Sequence, residues 1–221
     1  FNKDLANEYG KICGNYSLWS NLTIFWGCGT NLHRSPYNAR NHEYYSEDAV
    51  LTSGQAVAFI SGGKEYGVII APKHLAFNDT EINRTGVSVF MTEQQARENE
   101  LRGTQAAIED AGALGVMTAF NRVGITATNA HTGLLKNILR GEWGFKGLES
   151  QDFIMNPNYA VLKEYALNGG TMTTFTGENT MAAVSEKFAY WTTENVGQDT
   201  ELMSAIKQAM TWQAYALANS N

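Results

Sequence analysis

Asp152 ends a short apolar run, Leu148–Phe153 (LESQDF), and stands beside the aromatic residue Phe153. An Asp inside a strand is disfavoured, and a buried carboxylate without partners costs free energy. Enzymes built on a barrel of parallel strands carry their catalytic groups at the carboxyl ends of those strands. The position of Asp152 therefore indicates a catalytic carboxylate, with a structural role as the alternative.

Cationic side chains follow two other apolar runs. Lys73 and His74 come directly after GVIIAP, and Arg34 and Arg40 lie in the polar segment after NLTIFWG. Ammonium and imidazole groups at the end of a strand can bind hydroxyl groups, a phosphate or a carboxylate, or they can pair with neighbouring acids. For both arginines, a solvated loop held by Arg–carboxylate pairs is likewise an alternative to ligand binding. Glu43 is interpreted as a partner of such cations and not as a catalyst.

The sequence predicts neither a metal site nor a cofactor. Its four His residues show no HxxxH spacing and no nearby Cys. Cys13 and Cys28 are too few for a disulfide framework or a four-ligand zinc site, so free thiols are expected. Gly62-Gly63 precedes a predicted strand and opens no helix, so the Gly-rich turn of nucleotide-binding sheets is missing.

The composition narrows the class of partner. The chain has 221 residues, of which 43% are hydrophobic and 17% charged, enough to bury a sizeable core. Its formal net charge of -6 gives no basic surface, so a neutral partner is favoured over nucleic acid or an anionic membrane. The sequence shows no apolar run long enough to span a membrane, and its polar first residues lead us to expect no signal peptide. A first residue that is Phe1 instead of Met indicates a fragment or a processed chain.

Helical and strand patterns alternate along the chain. Strands are predicted over Asn21–Gly27, Gly67–Pro72, Val116–Asn121, Leu148–Phe153 and, in short form, Thr171–Thr174. Helices are predicted over Asp4–Cys13, Glu47–Ile60, Thr92–Ala111, Thr132–Trp143, Tyr159–Leu167, Met181–Thr192 and Asp199–Leu217. Gly14 is expected to end the first helix and Thr92 to cap the third. This order of elements predicts parallel strands joined by crossover helices.

Two architectures have that order of elements: a closed (β/α)8 TIM-type barrel and an open doubly wound sheet. Functional polar groups follow four different predicted strands, which favours the barrel. The predicted strands are too few to close an eight-stranded barrel, so about three strands are expected to be missing. We therefore predict an α/β fold, a TIM-type barrel missing its first strands in this chain, with the doubly wound sheet as the alternative.

Four segments together resemble glycoside hydrolase family 3. They are HRSPYNARNHEYYSED, APKHLAFNDTEINR, TEQQARENELRGTQAAIEDAGALGVMTAFNRVG and LLKNILRGEWGFKGLESQDF, in the order and spacing of the family's barrel domain. The resemblance covers nearly the whole chain and is greatest to the bacterial β-glucosidase branch. It implies that residues 1–221 form most of the barrel domain, without the α/β sandwich domain that accompanies it in most of the family. It also implies a soluble bacterial protein, secreted or cytoplasmic.

The resemblance implies a role for particular side chains. In the family, the nucleophile is the Asp nine residues after the Trp of the WGFKG stretch, and Trp143 plus nine gives Asp152. Three residues are implied to hydrogen-bond sugar hydroxyls in the -1 subsite and three to line the pocket, namely Arg40, Lys73 and His74, and Met117, Phe120 and Phe153. Charge-assisted hydrogen bonds would orient a neutral sugar, and apolar faces would pack against its C–H groups. Gln151 departs from the small residue that usually precedes the nucleophile, and Phe120 replaces a common Tyr.

The second carboxyl group of the reaction is expected to lie outside these residues. A retaining glycosidase needs an acid/base about 5 Å from the nucleophile. The resemblance implies that the sandwich domain supplies it, because the loop Leu75–Thr85 lacks the His that serves in the hexosaminidase branch. We therefore expect a retaining exo-β-glycosidase, a β-glucosidase that hydrolyses terminal β-D-glucosyl residues of a β-glucoside or short oligosaccharide through a covalent Asp152 intermediate. The alternatives are a non-catalytic carbohydrate-binding remnant, a β-xylosidase and a β-N-acetylhexosaminidase.

Overall fold

A computed structural model of the protein describes residues 1–153, 161–174, 189 and 191–220. The predicted helix Met181–Thr192 lies almost entirely outside these residues, as does the beginning of the predicted helix Tyr159–Leu167. Among the described helices, none is long and apolar enough to cross a membrane.

The described residues form a four-stranded main sheet and a small second sheet. The strands are β1 (Ile24–Gly29), β2 (Ile69–Leu75), β3 (Ser88–Val89), β4 (Gly115–Thr118), β5 (Arg122–Val123), β6 (Thr126–Ala127) and β7 (Leu148–Ser150). The main sheet has the order β1-β2-β4-β7, and every neighbouring pair is parallel. Met172 extends it by one parallel bridge to Ser150, at the position of the fifth predicted strand.

The strand order confirms the barrel-type architecture. Each successive βα unit adds its strand to the same side of the main sheet, whereas a doubly wound sheet reverses direction at a switch point. The carboxyl ends of the parallel strands meet at one edge, where His74 of β2 lies beside Asp152. The predicted TIM-type α/β fold is confirmed over the part of the barrel wall that this chain forms, and the doubly wound alternative is wrong.

Helices follow the strands in the predicted order, with one short helix, Thr193–Gln198, that the sequence pattern does not predict. They are α1 (Lys3–Trp19), α2 (Ala49–Lys64), α3 (Glu93–Gln95), α4 (Arg102–Glu109), α5 (Leu162–Leu167), α6 (Thr193–Gln198) and α7 (Thr200–Ala218), with 3-10 turns at Asn41–Glu43 and Thr128–Ala130. Thr92 caps α3 as expected, but a π-helical segment, Ala96–Glu100, divides the predicted helix Thr92–Ala111. The predicted helix Thr132–Trp143 is π-helical over Gly133–Glu142.

α1 continues past Gly14, where the sequence pattern predicts its end. A Cβ on Gly10 or Gly14 would collide with backbone carbonyl groups of α2, those of Phe59 and Gly63. Gly inside a helix usually costs roughly 0.5–1 kcal/mol relative to Ala. Here it allows two helices to pack backbone against backbone, so the predicted stop at Gly14 is wrong for a tertiary reason.

The sequence pattern does not reveal the small second sheet. β3 pairs in parallel with β5, and β5 forms an antiparallel hairpin with β6. Gly124 lies in the hairpin turn with φ +59°, a conformation that Gly adopts at little cost. Each strand has only two residues, too few for alternating apolar and polar positions to be recognised.

Two clusters of buried side chains hold the helices on the main sheet. One packs β4 against the π-helical segment Gly133–Glu142 and α5, and the other packs β2 against α1 and α2. Cys13 and Cys28 lie in the second cluster as free thiols, which confirms that expectation. A smaller third cluster packs Ala216 of α7 against Ile69 and Leu148 of the sheet. The packed helices therefore fix the strand ends, where the polar candidates lie.

Candidate active site

Asp152 lies just past β7, at the carboxyl edge of the main sheet. Its side chain is only 8% exposed. The backbone N–H of Phe153 donates to Oδ1 at 2.8 Å, and His74 Nε2 lies 3.4 Å from Oδ2. The structure thus brings the predicted carboxylate and the predicted imidazole together from two different strands.

Burial dominates the electrostatics of Asp152. It raises the pKa of this carboxyl above the ordinary value of 3.8. The Phe153 N–H and the positive charges of Arg40, Arg84 and Lys73 act in the opposite direction. These cations favour the ionised form, but they do not outweigh burial.

His74 is a buried, neutral imidazole. Burial lowers its pKa well below 6.5, and the charges of Arg40, Lys73 and Arg84 lower it further. Asn31, two residues after β1, fixes its backbone: Oδ1 accepts from the His74 N–H at 2.9 Å, and Nδ2 donates to the His74 carbonyl at 3.0 Å. The ring is therefore held in place as an uncharged hydrogen-bonding group.

Arg40 and Lys73 share one carboxylate, that of Glu43. Arg40 donates to it from Nε and Nη2 at 2.8 and 2.7 Å, and Lys73 Nζ lies 3.4 Å from Oε2. The hydrogen bonds from Arg40 lower the pKa of Glu43 to about 2. Glu43 is thus an ion-pair partner, as predicted, and it holds both cations while leaving other N–H groups for a ligand.

A second carboxylate, that of Glu81, lies between two arginines. Arg84 Nη1 lies 2.8 Å from its Oε2 and Arg40 Nη1 lies 3.6 Å from its Oε1. The Arg84 guanidinium lies over the Phe120 ring, 4.4 Å from the ring centroid. The sequence reasoning missed Glu81 and Arg84. The signal that could have found them is the closely spaced acid and base within the polar part of APKHLAFNDTEINR.

The three predicted pocket-lining residues lie at the same edge but differ in burial. Met117 is buried on β4, in register with Lys73 of β2. Phe120 is half-buried, and Phe153 is 45% exposed. An apolar surface is therefore open to a ligand at Phe153, next to the Asp152 carboxylate.

Gln151 is buried and bonded to neighbouring elements. Its Oε1 accepts from Asn129 Nδ2 at 2.8 Å, and its backbone N–H donates to the Tyr165 hydroxyl at 3.0 Å. The side-chain oxygen of this larger residue thus has a partner in the barrel wall, whereas its Nε2 is buried without a hydrogen-bond partner among the described residues.

Arg34 pairs with two buried acids away from Asp152. Nη1 lies 2.7 Å from Asp79 Oδ2, and Nε lies 3.5 Å from Glu100 Oε1. Burial raises the pKa of both carboxyls, and the charge of Asp79 raises that of Glu100 further. Arg34 therefore takes the structural role that the sequence left open, joining the segments after β1 and β2 to the π-helical segment before α4.

Comparison with known proteins gives consistent matches. The chain matches the model of the glycosyl hydrolase family 3 N-terminal domain over residues 1–187. It is 35% identical over 150 residues to a β-glucosidase of Rhizobium radiobacter. The aligned residues make up 68% of this chain and 18% of that protein. A probable β-glucosidase J of Emericella nidulans is 35% identical over 153 residues, covering 69% of this chain and 18% of that protein. The chain therefore spans about a fifth of the length of the curated relatives it matches.

Solved structures match over almost the whole chain. β-Glucosidase 3B from Thermotoga neapolitana in complex with glucose superimposes with a TM-score of 0.87 at 27% identity, over 99% of this chain and 30% of that one. A β-glucosidase from Paenibacillus barengoltzii gives a TM-score of 0.88 at 26% identity, over 99% of this chain and 24% of that one. Both likenesses extend through the strand ends that carry the candidate site.

Proposed function

This chain belongs to glycosyl hydrolase family 3, and from that premise we propose that it supplies the nucleophile and part of the sugar site of a retaining exo-β-glucosidase. The observation that carries the proposal is the buried Asp152 carboxylate at the strand ends, 3.4 Å from His74 and acted on by three cations. Relatives named β-glucosidase, and a solved relative that holds glucose, support a β-glucoside as the substrate.

In the proposed reaction, Asp152 acts as the nucleophile. One of its carboxylate oxygens forms a bond to the anomeric carbon while the bond from that carbon to the leaving oxygen breaks. The leaving oxygen takes a proton from an acid/base outside the described residues, which we assign to another part of the complete enzyme. That group then removes a proton from water, which attacks the anomeric carbon and releases Asp152 as a carboxylate.

The surrounding residues would bind a neutral sugar. Arg40 and Lys73 are held by Glu43 and offer their remaining N–H groups to sugar hydroxyls. The His74 ring lies beside Asp152 and adds no charge of its own to the site. The exposed ring of Phe153 offers an apolar surface for sugar C–H groups. Since charge-assisted donors and an apolar face lie around one buried carboxylate, an uncharged glycoside fits this site better than an anionic ligand.

Covalent labelling of the complete protein tests the nucleophile. A 2-fluoro glucoside with a good leaving group should form a glycosyl adduct on Asp152, located by mass spectrometry of the digested protein. Asp152→Ala should lower hydrolysis of an activated aryl glucoside by at least about 10³-fold with the sugar still bound, because no nucleophile remains. Asp110→Ala, a change of an exposed Asp at the end of α4, is the matched control and should leave the rate unchanged.

The outcomes separate the alternatives. A label on any other residue, or unchanged turnover in Asp152→Ala, would remove Asp152 as the nucleophile. A complete wild-type protein that binds glucose but hydrolyses no aryl glycoside would establish the non-catalytic remnant. Preference for an aryl xyloside or an aryl N-acetylglucosaminide over the glucoside would replace the proposed substrate and keep the mechanism.

A further inference from the structure

Three buried side chains lie in a line behind the carboxylate of Asp152. Asn78 Nδ2 donates to the Tyr44 hydroxyl at 2.9 Å, the Tyr44 hydroxyl lies 3.3 Å from His74 Nδ1, and His74 Nε2 lies 3.4 Å from Asp152 Oδ2. Asn78, Tyr44 and His74 are each at most 5% exposed. Water therefore has little access to these contacts, so the neighbouring groups decide which atom of each contact carries the proton.

The donor and the acceptor of each hydrogen bond can be assigned by starting from Asn78. Its Nδ2 also lies 3.5 Å from Glu81 Oε1, and an ionised carboxylate can only accept, so the amide nitrogen faces Tyr44 and Glu81. The Tyr44 oxygen therefore accepts from Asn78. Among the described residues, the remaining hydrogen-bond partner of that hydroxyl is His74 Nδ1, so the hydroxyl proton points to Nδ1.

The tautomer of His74 follows from that direction. A neutral imidazole carries one proton, and an Nδ1 that accepts from Tyr44 leaves this proton on Nε2. An Nε2–H facing Asp152 Oδ2 is attractive, whereas the other tautomer would set a nitrogen lone pair against a carboxylate oxygen. Both ends of the ring thus favour the same tautomer.

We propose that Tyr44 and Asn78 are positioning residues that hold His74 as the Nε2–H tautomer, so that His74 donates a hydrogen bond to the Asp152 carboxylate. With the Phe153 N–H on Oδ1, each oxygen of the carboxylate then has one fixed donor. The carboxylate is oriented, and its negative charge is stabilised, by neutral groups. The inference rests on the proposed function only in taking Asp152 as the nucleophile.

Nitrogen NMR of the complete, substrate-free protein tests the tautomer directly. With ¹⁵N-labelled histidine, the His74 signals should show a protonated Nε2 and an unprotonated Nδ1, identified by their loss in His74→Gln. Tyr44→Phe removes only the hydroxyl, and the Nδ1 signal should move because its donor is gone. Hydrolysis of an activated aryl glucoside should fall roughly tenfold in kcat/KM, the size expected for one lost hydrogen bond.

A second variant should weaken the preference for the Nε2–H tautomer. Asn78→Asp places a carboxylate, an acceptor, beside the Tyr44 hydroxyl, which should turn its proton away from His74. Nδ1 would then lose its donor and compete for the ring proton, so the share of the Nδ1–H tautomer in the NMR signals should rise although Asp152 still favours Nε2–H. Tyr45→Phe is the matched control, because the neighbouring Tyr45 packs on the cluster with Cys28 and should change neither the NMR pattern nor the rate.

Each outcome decides the inference. A protonated Nδ1 in the unaltered protein, or an unchanged His74 spectrum in both Tyr44→Phe and Asn78→Asp, would overturn it. The spectrum is read without substrate, so it stands even if the labelling experiment removes Asp152 as the nucleophile. Conversely, a labelled Asp152 with the wrong His74 tautomer would keep the proposed function and remove the positioning role.

Discussion

At the scale of single residues, a second carboxyl on β7 contrasts with Asp152. Glu149 is fully buried and, within the described part of the chain, neither of its carboxyl oxygens has a hydrogen-bond partner. Tyr165 and Thr118 lie close to it, but the Tyr165 hydroxyl already donates toward the backbone carbonyls of Glu149 and Met172. Burial raises the pKa of Glu149 to about 7. This group lies in the barrel wall and destabilises the fold when ionised.

Replacing Glu149 should therefore stabilise the protein at high pH. Because its folded-state pKa is raised from 4.5 to about 7, the folded protein keeps a proton that the unfolded chain has lost. Its contribution to stability is complete below about pH 4.5 and declines as the pH rises to about 7. Glu149→Val should remove this decline, a gain of up to roughly 3 kcal/mol at pH 8. Denaturant unfolding of the complete protein and of the variant between pH 4 and pH 8 measures this gain in unfolding free energy.

Glu109→Gln provides the control for that measurement, because Glu109 is exposed on α4. It should leave the pH dependence of unfolding as it is in the unaltered protein. If Glu149→Val were destabilising by a similar amount at every pH, the carboxyl would have to be satisfied in the folded state.

At the scale of elements, the loop between β2 and β3 carries much of the site. It contributes Asn78 to Tyr44 and Glu81 to the arginines, and it is anchored through Asp79 to Arg34. Asp79 lies directly after Asn78 in the chain, so the ion pair with Arg34 fixes the backbone from which Asn78 reaches the site. Packing away from the sugar site thus determines its geometry.

The two acids that share Arg34 should respond differently to neutralisation. Asp79 is the nearer, at 2.7 Å, and Glu100 lies at 3.5 Å, with its pKa raised by burial and by the charge of Asp79. Asp79→Asn should cost about 1–3 kcal/mol in unfolding free energy, since a charge-assisted hydrogen bond is lost. It should also lower kcat/KM by loosening the loop. Glu100→Gln should change stability by less than about 0.5 kcal/mol.

Parallel unfolding curves and kinetics of the two complete variants at pH 7 measure this difference. Equal losses in both variants would mean that both acids are ionised together and share Arg34 equally. A stable Asp79→Asn with unchanged kcat/KM would show that the loop is held without this ion pair.

At the scale of the whole molecule, one face of α1 is apolar and exposed. Its residues recur at helical spacing and are between 55% and 85% exposed, namely Leu5, Tyr9, Ile12, Tyr16 and Trp19. The opposite face packs closely on α2 through Gly10 and Gly14. A contiguous apolar stripe of this kind on an isolated soluble domain favours association.

The 221-residue chain on its own should therefore self-associate. Sedimentation velocity should show an average mass that grows as the protein concentration rises. The double substitution Ile12→Lys with Tyr16→Lys should reduce this growth in mass, because two charges interrupt the stripe. Ile125→Lys is the control, since Ile125 is an exposed residue in the hairpin turn outside α1 and its replacement should leave the mass unchanged. A monomer at all concentrations without the substitutions would contradict the prediction.

The sequence by itself determined the order of the main-sheet strands and of the longer helices, the cap at Thr92, and the placement of functional groups at strand ends. Trp143 and its spacing to Asp152, with the linked motifs, also indicated the family, which the comparisons confirm. These features can be predicted because periodicity, capping and motif spacing are local properties of the chain. The roles of the individual site residues stay predictions.

The tertiary structure decided which groups meet. Side chains distant in the chain, such as His74 and Asp152, come within 3.4 Å only because β2, β4 and β7 pair in parallel and end at one edge of the sheet. The same pairing buries Glu149 without a partner, and close helix packing carries α1 through Gly14. Sequence periodicity reports which face of an element is apolar. The distance, the partner and the protonation of each polar group depend on how those faces are assembled.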